Sequence, residues 1–472
     1  MRVCLVCEGS YPYIAGGVSD WVQMLCSNLS DVEFVIWSIA TTKEEMSELK
    51  YDLPENVKDV VTVYLGEEAL QDHYRNIRIS EREKKVLRRF VSEEGESVSW
   101  ASILEFFKKN RKKASDILMS KGFYEVCLEE YGKTAGTESF RQYLGSFREM
   151  YFSLLNPLSG EIPKADLYHT LSTGYAGVLA SAASYVEKKP LILTEHGIYT
   201  REREEDIIRA DWINSDFKEL WIQFFKKLAL ITYNQASLVT SLFENNKALQ
   251  VELGCPEAKI QIVPNGVAAE EYTDLENKHM LKEGGFHIGA PMRVAPEFDV
   301  KTLILAFEQV LEKVPNANLW IMGDYEKESA YYLECLNLLD VLKISNVIFL
   351  GEEERKNLFP EMNLLVLSGI NEEQSLTMLG GMAAGKPFVC TNVGDCMGLL
   401  EGKVGDTFGR AGYVVPVMDS KTLADTIIQC ANEPETLQAM GEAATKRVST
   451  YYRREDFLNR YKSIYDLYGG NK

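Results

Sequence analysis

This sequence has only five histidines and no uninterrupted apolar run approaching ~18 residues, so no segment reads as a bilayer-spanning helix. It opens on strand-like Arg2-Val-Cys-Leu-Val rather than on the basic and apolar regions of a secretory leader, and a cytoplasmic location is expected. Basic residues are in deficit, 51 Lys and Arg against 70 Asp and Glu. The resulting net charge of −19 repels nucleic acid and anionic lipid. Paired zinc-type motifs, 20–50-residue repeats (about the span of known repeat units) and a G-x-G-x-x-G dinucleotide fingerprint are all missing. The nine cysteines are odd in number, scattered and mostly set in apolar runs, which reads as reduced thiols. Cys4-Leu-Val-Cys7 lies inside a strand pattern rather than at a helix start, so buried thiols are the reading rather than a redox pair.

With 46% hydrophobic and 26% charged residues in 472, there is enough apolar surface for sizeable cores, which excludes disordered and fibrous classes. Short apolar or β-branched runs ending in Gly or polar loops alternate with helix-length segments. Strands are expected at 3–7, 32–39, 60–65, 167–171, 191–195, 238–242 and 260–263, then at 286–290, 318–322, 346–350, 364–367, 388–391 and 413–415. This predicts an α/β protein of two doubly wound, Rossmann-like domains facing across a cleft. Turn formers and charge over 264–285 read as the linker, giving domains 1–280 and 281–450. Charged, helix-favouring sequence over about 70–160 reads as a helical insertion in the first domain. The segment 451–472 reads as a terminal amphipathic helix packed back on the first domain.

In open α/β sheets ligands sit outside the carboxyl ends of strands, so loops leaving strands carry the candidates. Gly16-Gly17 precedes a helix expected to open at Val18 or Ser19; bare N–H groups there suit an anion such as phosphate, and a tight turn without ligand is equally compatible. His196, in Glu195-His-Gly-Ile-Tyr199, ends a strand and is placed either to donate into the cleft or to serve structure. The mixed-charge run 201–206 is compatible with a solvated helix start. His169 lies in a strand that ends near Gly174. Arg293 stands at a strand end before a helix with Asp299 as its expected N-cap, where a charge-assisted pair with phosphate is available. Glu372 and Glu373, followed by Gln374-Ser375-Leu376 at a helix start, can accept sugar hydroxyls while backbone N–H groups face a diphosphate. Gly380-Gly381 inside that helix costs about 1 kcal/mol each against Ala and wants a reason.

Six motifs in order resemble the retaining, two-Rossmann (GT-B) glycosyltransferases of family 4, and within that family those of Pel exopolysaccharide synthesis. They are Glu8-Gly-Ser-Tyr-Pro-Tyr with Gly16-Gly-Val-Ser-Asp-Trp21, Ser172-Thr-Gly-Tyr-Ala-Gly177, Thr194 through Arg203, Pro264-Asn-Gly-Val267, Asp299-Val-Lys-Thr-Leu-Ile304, and Met382-Ala-Ala-Gly-Lys-Pro387. The resemblance implies a UDP-sugar donor held mainly by the second domain and an acceptor glycan approached from the first. It also implies stabilisation of the leaving diphosphate by basic side chains and backbone N–H groups without a divalent metal or cofactor; the lack of a D-x-D triplet agrees. By position, His196, Arg293 and Glu372 take the catalytic places. Gly16, Gly17, Arg293, Glu372, Gln374, Ser375 and Leu376 take the donor side, and His169, Glu195 and Tyr199 the acceptor side. The implied partners are the donor, the glycan and inner-membrane synthase subunits that would recruit a cytoplasmic protein to the membrane, with no nucleic acid.

The sequence departs from the family pattern in the donor domain. Phe298 replaces a Lys before Asp299, and Gly380 replaces the second Glu, which holds ribose. Glu373-Gln-Ser-Leu376 stands for Gly-Gln-Pro-Leu, and Ala290-Pro-Met292 for a flexible turn. Loss of a cation at developing phosphate charge costs on the order of 10²–10³ in rate, and each lost ribose hydrogen bond about 0.5–1.5 kcal/mol. Glu373 adds negative charge near the donor, leaving Arg293 to neutralise it unless Lys301 or Lys327 reaches in. Two further readings stay open: an inactive pseudo-glycosyltransferase serving as a synthase subunit, and a nucleotide-sugar epimerase working without acceptor.

Overall fold

The computed structural model describes residues 1–41, 48–66, 77–91, 114–133, 139–158, 160–273, 285–351, 355–403 and 405–470. The chain divides into two units, Met1–Val263 with Arg460–Lys472, and Pro264–Asn459. In the first, β1 (Arg2–Glu8), β2 (Glu33–Ala40), β3 (Val57–Tyr64), β4 (Leu167–Thr170), β5 (Leu191–Glu195), β6 (Leu238–Ser241) and β7 (Ile260–Ile262) form a parallel sheet in the order β3-β2-β1-β4-β5-β6-β7. In the second, β8 (Phe286–Ala290), β9 (Ala317–Met322), β10 (Val347–Leu350), β11 (Leu364–Leu367), β12 (Phe388–Thr391) and β13 (Gly412–Val415) are ordered β10-β9-β8-β11-β12-β13, again parallel. Each of the thirteen apolar runs read as a strand is one. The central strands carry near-continuous apolar sequence because helices cover both faces; Val3 to Cys7 are fully buried. In both sheets the order reverses beside the first strand, and the carboxyl ends there define the place for a ligand.

The expected boundary near 280 is corrected to Val263–Pro264. The Pro264-Asn-Gly-Val267 turn is built into unit 2: Val267 bridges Arg453, its N–H donates to the Tyr452 carbonyl, and Asn265 is gripped by Gln374. Residues 274–284 of the expected linker lie outside the described residues. Unit 2 also continues past 450, to Asn459. The terminal helix runs Arg454–Gly469, and its residues from Arg460 onward count with unit 1. There Tyr461 and Tyr465 are fully buried: the Tyr461 hydroxyl meets Thr194 and Thr240, and that of Tyr465 meets His169.

Within the expected insertion, the described helices are Glu81–Val91, Ala114–Leu118, Lys121–Tyr131 and Phe140–Leu158; positions 70–76, 92–113, 134–138 and 159 lie outside the described residues. These helices share one apolar cluster with the helices Tyr199–Arg209 and Ser215–Gln235, through Phe147, Tyr151, Ile207, Trp221 and Phe224. Tyr151 meets Phe224 edge to face at 5.4 Å. All nine cysteines are free and buried. Among the described residues no helix is long and apolar enough to cross a membrane.

Candidate active site

In unit 1, the loop after β1 enters the helix Gly17–Asn28, whose N-cap, Gly16, offers no side chain. A Cβ at Gly16 or Gly17 would meet nothing within 4 Å, so neither glycine is demanded by protein packing. Both border a cavity of about 880 Å³, lined also by Glu8, His196, Tyr199 and Arg203. The neighbouring helix Tyr175–Glu187 is already occupied at its start: Glu8 accepts hydrogen bonds from the Ala176 N–H (2.9 Å) and the Ser172 hydroxyl (3.3 Å), and from the Tyr199 hydroxyl (2.6 Å). A carboxylate thus fills that positive helix end. Gly174 permits this arrangement, because a Cβ there would sit 2.4 Å from the Tyr199 ring.

His196 lines this cavity with its ring edge to face on Trp21 at 4.9 Å. Its Nε2 is buried and has no hydrogen-bond partner. Burial lowers its pKa to about 4, so the imidazole is neutral near pH 7. The acceptor-side assignment of His169 is corrected. It is fully buried, with Nδ1 on the Tyr465 hydroxyl (2.7 Å) and Nε2 on Thr194 (2.8 Å), and burial lowers its pKa to about 3. Glu195 is corrected likewise. It is fully buried and accepts from Tyr233 (2.7 Å), Gln250 (3.0 Å), Thr173 (3.2 Å) and the Tyr199 N–H (3.4 Å), with burial raising its pKa to about 7. Both residues organise the β4–β5–β6 core. Tyr199 does reach the cavity, tethered through Glu8.

In unit 2, Arg293 follows β8 and Glu372 follows β11, the two strands flanking the reversal of order. Arg293 is 44% exposed, pairs with Glu297 at 3.4 Å and lies over the Phe298 ring. Burial raises the pKa of Glu372, opposed by the Ser375 hydroxyl and the Arg293 charge, so these groups share one locality. Ser375 caps the helix Leu376–Ala383 by accepting from the Met378 N–H, leaving Leu376 at its first position. Asp299 caps the helix Val300–Lys313 in the same way, through the Thr302 N–H. The short turn Pro296–Phe298 is fastened to the β11 loop by Ser368 donating to the Phe298 carbonyl (2.9 Å) and by the Ile370 N–H donating to that of Glu297 (2.9 Å).

Gln374 is not free for a donor, which corrects its assignment. It is buried, its carbonyl oxygen accepts from the Asn265 N–H (2.6 Å), and its amide donates to Asp395 (2.6 Å). Gly380 is buried against Tyr272; a Cβ there would lie 2.7 Å from that ring. A Cβ at Gly381 would lie 2.5 Å from Leu365 and 2.6 Å from Phe388, so the glycine pair lets the helix sit against the sheet and Tyr272 at once. Lys301 is engaged with Glu334 and the Tyr331 ring rather than with Arg293's neighbourhood, and Lys327 is exposed on the loop after β9.

Three features escaped sequence reasoning: the organising role of Glu8, the cavity-lining side chains of Glu202, Arg203, Asp206 and Trp212, and the Tyr272 ring beside Gly380. A carboxylate ending the first strand of a Rossmann order could have signalled Glu8. Nothing local signals Tyr272, which lies 108 positions before Gly380 in the chain. Among the described residues no cluster of three or more His, Cys, Asp or Glu side chains is placed to hold a metal ion.

Two Rossmann-type parallel sheets define the GT-B class of glycosyltransferase folds. The chain belongs to the family described as Domain of unknown function (DUF3492), matched over residues 1–258, and carries a Glycosyl transferases group 1 domain over residues 272–447. N-acetyl-alpha-D-glucosaminyl L-malate synthase of Bacillus anthracis is 29% identical over 241 residues, 49% of this chain and 60% of that protein. Capsular polysaccharide biosynthesis glycosyltransferase CapM of Staphylococcus aureus is 22% identical over 307 residues, 63% of this chain and 75% of that one. Among solved structures, HepE of Anabaena in complex with UDP aligns over 99% of this chain and 100% of its own, with a TM-score of 0.62 at 15% identity. Sucrose-phosphate synthase from Thermosynechococcus elongatus aligns over 99% and 98%, also with a TM-score of 0.62 at 15% identity.

Proposed function

We propose that this protein is a retaining, family 4, PelF-like glycosyltransferase that moves a sugar from a UDP-sugar to a growing exopolysaccharide in the cytoplasm, recruited by membrane synthase partners. The observation that carries the reading is the Arg293–Glu372 pair at the switch point of the unit 2 sheet. Arg293 has a half-exposed guanidinium available to a diphosphate, and Glu372 is a carboxylate available to sugar hydroxyls. Backbone N–H groups at the start of the helix Leu376–Ala383 supply further groups suited to an anionic donor. Binding of UDP and UDP-glucose by HepE, and the capsular polysaccharide role in the name of CapM, support the donor and product classes. The chemistry asks for no metal or cofactor in this reading.

The test combines radiolabelled UDP-sugars with a polysaccharide acceptor, and NMR of the anomeric proton of the product. Transfer with retention, reduced on the order of 10²–10³ by Arg293→Ala, is the expected result. Inverted product would overturn retention. One specific observation favours a second reading, a non-catalytic synthase subunit: the Tyr272 ring occupies the space beside Gly380 where a ribose-binding carboxylate would start. UDP binding without transfer from any UDP-sugar would select that reading.

A further inference from the structure

The unit 1 cavity extends well past the glycine loop and His196. Its far wall comes from the helix Tyr199–Arg209, which contributes Glu202, Arg203 and Asp206, and from Trp212 just beyond it. Glu202 and Asp206 are four residues apart and so share one helix face. Trp212 is 72% exposed, an unusual state for the largest side chain, and its indole stands edge to face on buried Trp221 at 5.8 Å. Arg203 is held between the Tyr199 ring, 5.4 Å from its guanidinium carbon, and Asp206 at 2.7 Å. Even so, its Nε–H is buried with no hydrogen-bond partner. The Arg203 side chain as a whole is 40% exposed, so it presents charge to the cavity it lines.

We infer that this far half of the cavity, walled by Trp212, Glu202, Arg203 and Asp206, is a subsite for a neutral sugar residue of the acceptor glycan. The inference rests on the glycosyltransferase reading above and names what that reading leaves open. A pyranose has one face of C–H groups, which stacks on an exposed indole, and an edge of hydroxyls. These can donate to the Glu202 and Asp206 carboxylates and accept from the part-exposed Arg203 guanidinium. A hydrocarbon chain would strip water from two carboxylates and a guanidinium without replacing their hydrogen bonds. An anionic sugar would meet Glu8, Glu202 and Asp206 against a single cation in this lining. The helices of the 70–160 region acquire a purpose as well, since they pack behind the helices Tyr199–Arg209 and Ser215–Gln235 and fix this wall.

The test titrates the full chain with neutral maltopentaose, cellopentaose and chitopentaose, an anionic hyaluronan tetrasaccharide, and undecaprenyl phosphate in detergent. Tryptophan emission and saturation-transfer NMR read binding, while calorimetry with UDP is run in parallel. At least one neutral oligosaccharide should bind and shift the emission, with Trp212→Ala and Arg203→Lys each weakening it roughly tenfold and leaving UDP affinity unchanged. Arg203→Lys keeps the charge and removes the planar fork of donors. The inference is overturned if UDP binds but no neutral oligosaccharide does up to about 10 mM, if the anionic or prenyl ligand alone binds through Trp212, or if Trp212→Ala leaves oligosaccharide binding intact. Oligosaccharide binding of the expected kind without UDP binding would sink the donor reading and uphold the subsite.

Discussion

The guanidinium carbon of Arg293 lies 5.2 Å from the centre of the Phe298 ring. In the function proposed above Phe298 stands where a second cation is expected, and here its ring is a platform for the first one. The platform is fixed because the Phe298 backbone is fastened by Ser368, while the Glu297 carboxylate steadies the guanidinium from its own side chain. Such a contact is worth about 0.5–1 kcal/mol at an exposed site. Phe298→Ala should therefore weaken UDP binding about two- to five-fold, measured by titration calorimetry. Phe298→Lys exchanges the platform for a charge, and its UDP affinity should fall more steeply with added salt than that of the wild type. An alanine variant that binds UDP as tightly as wild type would show the ring to be irrelevant to Arg293.

Placing a carboxylate at position 380 is not a matter of one substitution. Gly380→Glu drives its new side chain into Tyr272, and overpacking of this kind costs about 1–3 kcal/mol. Urea unfolding should register that loss for Gly380→Glu. Combining it with Tyr272→Ala should destabilise by less than the two single variants summed, since the clash and the ring are one interaction. Additive effects would mean that the helix shifts instead of the ring.

The turn at Gly16-Gly17 separates stability from function. Gly17→Ala adds a Cβ that meets no neighbour within 4 Å, so its thermal midpoint should stay close to that of wild type. Its sugar transfer should drop by at least roughly tenfold if the space is held for substrate. Unchanged turnover would assign the glycines to the turn alone.

The buried titratable groups of unit 1 pull stability in opposite directions with pH. His169 and His196 have pKa values lowered to about 3 and about 4, so their contribution is present above the unfolded value near 6.5 and is lost as pH falls through 4 to 3. Glu195 is raised to about 7, so its contribution is full below about 4.5 and is lost as pH rises through 7. A tenfold difference in proton affinity between folded and unfolded chain corresponds to about 1.4 kcal/mol. Wild type should lose stability relative to Glu195→Gln between pH 5 and pH 8, read from urea midpoints. A constant difference across that range would show that Glu195 does not titrate there. NMR of the imidazole protons should find both histidines neutral at pH 6.

Pattern along the chain was enough to settle the thirteen strands and the two parallel sheets, because a strand buried on both faces is a short run that is apolar along its whole length. It also marked Arg293, Glu372 and His196 as candidates, since strand-end positions in a doubly wound sheet follow from periodicity alone. Which polar residues remain available emerged only in the folded chain. His169, Glu195 and Gln374 look like ligand contacts in a linear reading, yet partners as distant as Tyr465, Gln250 and Asn265 claim their hydrogen bonds in the interior. Tyr272 beside Gly380 and the bare indole of Trp212 are equally invisible to local pattern. Periodicity records which face of an element is buried; what lies against that face depends on segments brought together only when the chain closes on itself.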